Sequence, residues 1–375
     1  MQRFPDIPAP ELVEVDSEAS LARIRQQYYE KTGHYPDVND PETFELEQLN
    51  YESNLLRDDI NRSAQQNLLA YADGAMLDNV GLLVGATRLP ASSASTPATV
   101  TLVTGHPDFV LAAGYNVLAS DGQTSFVTTA DYAFSASQTE GEITLVATDP
   151  GTAGNGFLPG EITQTVTPND WIGAVSNTGT TQGGADTEDD DSFAERIFLA
   201  PGQFSVAGPY DAYKYWVLSA SAAISDASVE SPEPNDIVLC AVLEGGIIPD
   251  APLKAVILET CSARDVRPLG DRVSIADPTA IETSGEIRVE VYKANASLAN
   301  QIEDAVRQEA DALAYKWSGK LGRDIVPQAF EAIGQKKSGV YRCTTTLAEQ
   351  TLNNQQFPLI TITAVDVVLV DEEEV

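Results

Sequence analysis

The sequence predicts an α+β, multidomain fold: N-terminal helices, a mostly β middle domain and two small α/β domains toward the C-terminal end. Three observations carry this. Apolar residues recur at helical spacing up to residue 85. β-Branched runs broken by turn residues fill residues 91–182. After residue 186, helical stripes alternate with short apolar runs. A chain of 375 residues, 43% of them hydrophobic, can build ordinary cores, and at typical sizes it divides into about two to four domains. The patterns place the limits at 1–90, 91–185, 186–280 and 281–375.

Residues 1–16 are proline-rich and predict extended chain. A first helix is expected from Ser17 to Thr32, with Leu21, Ile24 and Tyr28 on one stripe and Gly33 ending it. A second starts at Asp40-Pro41, an N-cap followed by proline at the first helical position. Its stripe is Leu49, Leu56, Ile60, Ala64 and Leu68. Such a stripe packs on its own domain or on a neighbouring chain, and both readings stay open. A short helix follows Gly74, with Met76, Val80, Leu83 and Val84 at helical spacing and Gly85 closing it.

The middle reads as β. Thr99 to Val103, Ser125 to Val127 and Glu142 to Val146 are strand runs, broken at Gly105, Gly114, Asp121-Gly122 and Gly141. Strands at this spacing suggest a sandwich or small barrel, entered through a linker from Ala91 to Pro97. Gly151, Gly154 and Gly156 are read as positive-φ turn positions. Ile162 to Val166 and Ile172 to Val175 give two more strands, separated by Pro168-Asn169-Asp170.

The remainder alternates. Asp186, Glu188, Asp189, Asp190 and Asp191 precede a helix at Phe193 to Ile197, where carboxylates cap free N–H groups and oppose the helix dipole. Gly208-Pro209 opens a helix bearing Tyr213, Trp216, Val217 and Ala220. Ile237 to Leu243 fits a strand buried on both faces, with Cys240 a buried thiol. A helix from Asp250 to Ala263 turns Leu253, Ile257, Thr260 and Cys261 inward. Ile287, Val289 and Val291 alternate as a strand. A helix from Ser297 presents Leu298, Ile302, Ala305, Val306, Glu309 and Leu313. A short helix at Val326 to Ile333 and a strand at Val340 to Thr345 follow, and Leu359 to Thr363 with Val365 to Val370 gives one or two more strands. The tail from Asp371 to Glu374 reads as solvated charge.

The formal net charge is −34, from 56 acidic and 22 basic residues. Such a surface repels phosphate backbones, so no nucleic-acid partner is expected. The three cysteines show neither a disulfide framework nor a metal spacing. The opening MQRFPDIPAP lacks the apolar core of a signal peptide. No apolar stretch approaches the roughly 18 residues of a membrane span, so no membrane partner is expected.

Signals for chemistry are weak. Histidine occurs only at His34 and His106, neither beside a nucleophile motif, and a surface turn position is the default for each. The acidic run at 186–191 leads straight into a helix and lacks the alternating spacing of a calcium loop. The glycines at 151–156 lack the Lys-Ser/Thr of a phosphate loop and fall in the wrong order for a dinucleotide. Trp171, Trp216 and Trp317 stand apart. The expectation is no catalytic residue, no cofactor, no metal and no small-molecule substrate.

The motifs that do stand out form an ordered set. Ala72-Asp73-Gly74, Leu77-Asp78, Gly81 and Gly85-Ala86-Thr87-Arg88 come first. Ala147, Gly151, Gly154, Asn155, Pro159, Gly160 and Ile162 follow. Then come Val175, Asn177, Gly183, Gly184, Asp186, Glu188, Asp190, Glu195, Arg196 and Ile197. The last group is Arg267-Pro268, Gly270, Val273, Ile275 and Pro278. Together they resemble the signature of baseplate J-like proteins, wedge subunits in the baseplates of contractile phage tails. The resemblance implies a structural, non-enzymatic protein in the virion tail, assembled in the host bacterial cytoplasm. It implies that copies join one another and other wedge and hub proteins in a six-fold ring, which rearranges to trigger sheath contraction. In that reading Leu49, Leu56, Ile60 and Leu68 form an interface. The rival is a tail-associated carbohydrate-binding or glycan-cleaving protein, which an aromatic-lined groove or a close carboxylate pair would favour.

Overall fold

The computed structural model describes residues 7–204, 208–264 and 266–371, and the chain is α+β. The acidic tail at 372–374 and the first six residues lie outside the described residues. Contacts divide the chain into two compact units, one of residues 1–88 and 189–198, the other of residues 89–188 and 199–375. All but the last residue of the helix after the acidic run thus belongs with the N-terminal helices, about 100 residues away in sequence.

The first unit is helical. α1 (Ser17–Thr32) starts at Asp16, whose side chain accepts from the Ala19 N–H at 2.9 Å, and ends at Gly33 in the left-handed region. α2 (Pro41–Gln65) begins after Asp40 as expected but stops before Leu68, which lies in the following turn. α3 (Gly74–Leu82) corrects a predicted face: Leu77 and Gly81 are its buried residues, whereas Met76 and Leu83 are exposed.

α2 shows an unusual distribution. Its buried residues are Thr43, Asn50, Asn54 and Asn61, at helical spacing. Asn50 donates to the Ser17 carbonyl and hydroxyl, both at 3.1 Å. Asn61 accepts from the Leu12 and Val13 N–H groups at 2.9 Å and donates to the Val13 carbonyl at 2.7 Å. The amide therefore holds the extended segment before α1 in place by satisfying its backbone. The apolar stripe faces the other way: Leu49, Leu56 and Ile60 are 57%, 63% and 50% exposed. They are not the core of their own unit.

The second unit opens with the β middle. β1 (Ser95–Leu102), β2 (Phe109–Leu111), β3 (Asn116–Ala119), β4 (Ser125–Thr128), β5 (Tyr132–Phe134), β6 (Glu140–Ala147), β7 (Ile162–Thr165) and β8 (Ile172–Asn177) follow in chain order. Six of them form an antiparallel sheet, β7-β3-β4-β6-β1-β8, while β2 and β5 pair separately. Val100 sits opposite Gly141 on one side and Val175 on the other. Inward residues such as Val100, Val117, Phe126 and Leu145 are fully buried, as the period-2 alternation of a half-buried strand demands. The expected linker is already barrel: Ala94 is in the core and Ser95 to Pro97 lie in β1. Gly141 is no turn but part of β6, where a Cβ would sit 2.1 Å from the Phe134 ring.

α4 (Asp190–Leu199) leads into α5 (Tyr210–Ala220), β9 (Ile224–Glu230), β10 (Asp236–Leu243), α6 (Ala251–Ser262) and β11 (Arg272–Ile275). β10 is central, parallel to β11 and antiparallel to β9, and so is buried on both faces. Then come β12 (Thr279–Tyr292), α7 (Ala299–Ser318), α8 (Pro327–Gln335), β13 (Val340–Thr345) and β14 (Gln356–Val370). β12 is central, antiparallel to β13 and parallel to β14. The core-facing side of α7 is Ile302, Val306, Ala310, Ala314 and Trp317. Leu298 precedes the helix and is exposed, and Glu309 faces solvent and pairs with Lys337, so neither belongs to that face. The two α/β parts are joined by polar contacts. Asp226 pairs with Lys214 at 2.9 Å and accepts from the Leu321 N–H at 3.1 Å, and Gln355 donates to Glu230 at 2.8 Å.

Candidate functional site

The motif residues gather into three clusters. In the first unit, α4 meets the segment from α3 to Arg88. Gly81 has no room for a Cβ, which would lie 2.7 Å from Phe193, 2.8 Å from the Ala86 carbonyl and 3.2 Å from Ile197. Phe193 is fully buried and carries a guanidinium from each of two arginines, Arg88 at 4.9 Å and Arg196 at 5.3 Å from its ring centre. Arg88 donates to Asp78 at 2.9 Å and Asp190 at 2.7 Å, and Arg196 donates to the Thr87 carbonyl at 2.6 Å. Asp190 also accepts from the Gly74 N–H at 3.1 Å. Leu77 is buried in the same unit, Gly85 lies in the turn after α3, and Glu195 is half-buried on α4.

The second cluster holds the ends of the barrel. Asn155 donates to the Gly184 carbonyl at 2.7 Å and accepts from its N–H at 2.9 Å. A Cβ at Gly184 would lie 2.4 Å from the Gly151 carbonyl and 3.1 Å from the Ala94 nitrogen, and one at Gly154 would lie 3.0 Å from the Cβ atoms of Ala94 and Ala147. The Gly-Gly pair thus divides its work. Gly183 has φ +84°, whereas Gly184 is held by crowding. Gly154, read from the sequence as a positive-φ position, is corrected: it lacks the positive φ that its neighbours Gly151 and Gly156 show. Buried Asn177 uses its whole amide: it accepts from the Gly160 and Ile162 N–H groups at 3.0 and 2.9 Å, and donates to the Leu158 and Gly179 carbonyls at 2.9 and 2.8 Å. β7 and β8 are the two ends of the sheet order, so this one side chain ties them where no ladder does.

The acidic run disperses rather than converging. Asp186 accepts from the Thr152 N–H at 3.2 Å, and buried Glu188 from the Leu89 N–H at 2.9 Å. Asp189 is the cap of α4, accepting from the Asp191 and Ser192 N–H groups at 2.8 and 3.0 Å and from the Ser192 hydroxyl at 2.7 Å. Burial, the largest single influence, acts to raise the Asp189 carboxyl, but the hydrogen bonds from Ser192 and Asp191 together hold it below the usual carboxylate range. Among the described residues no group of three or more His, Cys, Asp or Glu side chains could hold a metal ion.

The third cluster surrounds Arg267, which donates to the Ser262 carbonyl at 3.2 Å and the Asp271 carbonyl at 2.5 Å. The Asp271 carboxylate takes the buried Tyr213 hydroxyl at 2.7 Å, and burial first, then that carboxylate, pushes the phenol up. A Cβ at Gly208 would meet Asp271 at 2.9 Å and Pro268 at 3.0 Å. Gly270 lies in the turn before β11 beside Asn235. The Tyr213–Asp271 pair was not legible in the sequence, because nothing local marks partners 58 residues apart.

His106 also departs from expectation. It is buried, with Nδ1 2.8 Å from the Pro107 carbonyl and Nε2 2.9 Å from the Gln138 carbonyl. His34 is exposed beside Asp40 at 3.0 Å. Trp317 packs edge-on to Phe330 under Arg323, and Trp216 lies on Tyr215. These are packing contacts.

Three family models match the chain in order. The baseplate J-like N-terminal domain matches residues 39–95, the baseplate J-like barrel domain residues 98–184, and the baseplate J-like central domain residues 205–277. Baseplate protein J of Escherichia phage P2 is 30% identical over 172 residues, covering 45% of this chain and 56% of that protein. The match thus spans little more than half of that relative. A chain in the six-fold symmetrised cryo-EM structure of the anti-feeding prophage baseplate aligns over 93% of this chain and 90% of its own length. The identity is 12% and the TM-score 0.37, and so loose an overlap carries no argument.

Proposed function

The chain belongs to the baseplate J-like family, and from that membership we propose that it is a structural component of a contractile-tail baseplate, in a phage or a related injection machine. Its place there is that of a wedge subunit. Copies join one another and other wedge and hub proteins in a ring around the hub, and the ring rearranges as the sheath contracts. Its work is differential contact in two assembly states rather than bond chemistry. The observation that carries this reading is the ordered run of three family domains over more than half of the chain.

The motif clusters support an architectural role. Their arginines, asparagines and glycines are spent on closing a barrel and seating α4, each polar group satisfied by a neighbour. The exposed stripe of α2, with Leu68 beyond it, serves in this proposal as the surface that meets a neighbouring subunit. The test is to mix the purified protein with its neighbouring tail-gene products, then measure mass and take negative-stain images. A defined multi-chain particle is expected. A chain that stays alone at every ratio would contradict the proposal.

A further inference from the structure

The sheet of β13, β12 and β14 ends in an uncovered strand. β14 is fifteen residues long and, among the described residues, pairs with β12 alone. The Gln355 carbonyl accepts from Thr279 at the start of β12, whereas the Gln356 carbonyl accepts from Gly322, outside the sheet, each at 2.8 Å. Alternation along the strand then turns the backbone groups of Pro358, Ile360 and Ile362 outward. Proline has no N–H to leave unpaired. The Ile360 and Ile362 amides face out with no backbone acceptor among the described residues. Native edges are commonly blunted with lysine. Residues 356–370 hold no Lys or Arg, and Asp366 is their one charge.

α7 runs beside this edge. Asp311, Ala314, Tyr315 and Ser318, on one side of the helix, line an open groove of about 280 Å³ with Leu359 to Ile362. Gly245 closes one end, where a Cβ would lie 2.6 Å from the Tyr315 ring. A free strand edge flanked by a helix is the geometry that takes up an extended peptide. The backbone ladder supplies affinity and the groove reads alternate side chains. The charge selects the occupant. Asp311 sits in the groove and Asp366 lies on the strand, and a second copy's own β14 edge would bring no cation to meet them. We propose that the groove between β14 and α7 takes an extended, lysine- or arginine-bearing segment of a different protein as a fourth strand. This inference stands on the sheet edge and does not depend on the baseplate reading.

The probe is a synthetic peptide of about nine residues, a normal strand length, alternating lysine with valine or threonine. A control replaces each lysine with glutamate. Anisotropy measures binding to the full chain, and amide exchange resolved to single residues reports the edge. Saturable binding should slow exchange at Ile360 and Ile362. Exposed Asp311→Lys, folding normally by its melting temperature, should weaken binding about tenfold, and the acidic peptide should not bind. The proposal is overturned by absent binding, by equal binding of the acidic peptide, or by binding that leaves those two amides at their free rate. It is overturned too if self-association in light scattering protects the same amides without peptide, since the occupant is then a second copy.

Discussion

Gly183 and Gly184 are adjacent and alike in sequence, yet excluded from change for different reasons. A side chain at Gly183 meets open space but must adopt a left-handed backbone, at roughly 1–2 kcal/mol. A side chain at Gly184 meets the Gly151 carbonyl at 2.4 Å, so the two loops must move apart. Gly184→Val should therefore lower the melting temperature well beyond Gly183→Ala, and equal effects in chemical denaturation would contradict the crowding argument. His106 supplies a pH test. Both ring nitrogens face carbonyls, so the doubly protonated ring makes two donor bonds and the neutral ring only one. Gln138, then Pro107, raise its folded pKa, with Asp108 adding to them. A raised folded pKa means the stabilisation is fully present below the unfolded value of about 6.5 and is lost as pH rises through the folded value. Melting temperature measured from pH 6 upward should carry a downward component that His106→Gln removes. An unchanged profile in that variant would show that the ring does not titrate in this range.

At the scale of elements, α2 is the informative case. The Leu56→Glu, Ile60→Glu double variant should fold with near-normal stability, because both side chains are at least half exposed. It should fail to join partner chains in light scattering. Early unfolding would mean the stripe is internal after all, and normal assembly would remove the interface proposal. The opposite face gives the converse test. Asn54 is buried, with neither its amide nitrogen nor its oxygen bonded among the described residues. Asn54→Leu should stabilise by about 1–3 kcal/mol, the usual penalty of an unpaired buried polar group, as read by denaturant midpoint. These faces also mark how far sequence reading goes. Local chemistry made α1 legible to the residue, since Asp16 and Gly33 are caps that need no tertiary partner. Periodicity showed that α2 has an apolar stripe but not which side is buried. Hydrophobicity alone cannot reveal that asparagines pin the preceding segment. The same limit misassigned α3, where a small glycine is the buried contact and methionine is not. Gly141 read as a turn because its true cause, the Phe134 ring, lies on another strand.

For the whole molecule, the sequence presents the motif residues as an ordered run and gives no sign of their grouping into three clusters. Arg88 and Asp190 are separated by a complete barrel in the chain yet bond at 2.7 Å. The join between the two C-terminal sheets is likewise invisible in sequence. It predicts that Asp226→Ala, which removes the acceptor shared by Lys214 and the Leu321 N–H, costs about 3 kcal/mol or more and loosens both sheets together in hydrogen exchange. Loss of protection confined to β9 and its neighbours would show that the sheets are independent. As proposed above, this chain builds a baseplate. The direct measurement is cryo-EM of purified tail particles from cells producing it, with its density located by fitting the barrel and the two α/β parts. Repeated copies in a ring at the baseplate end are expected, with α2 against a neighbouring chain. Particles with complete baseplates that lack this chain, or that carry it only on fibres, would contradict it.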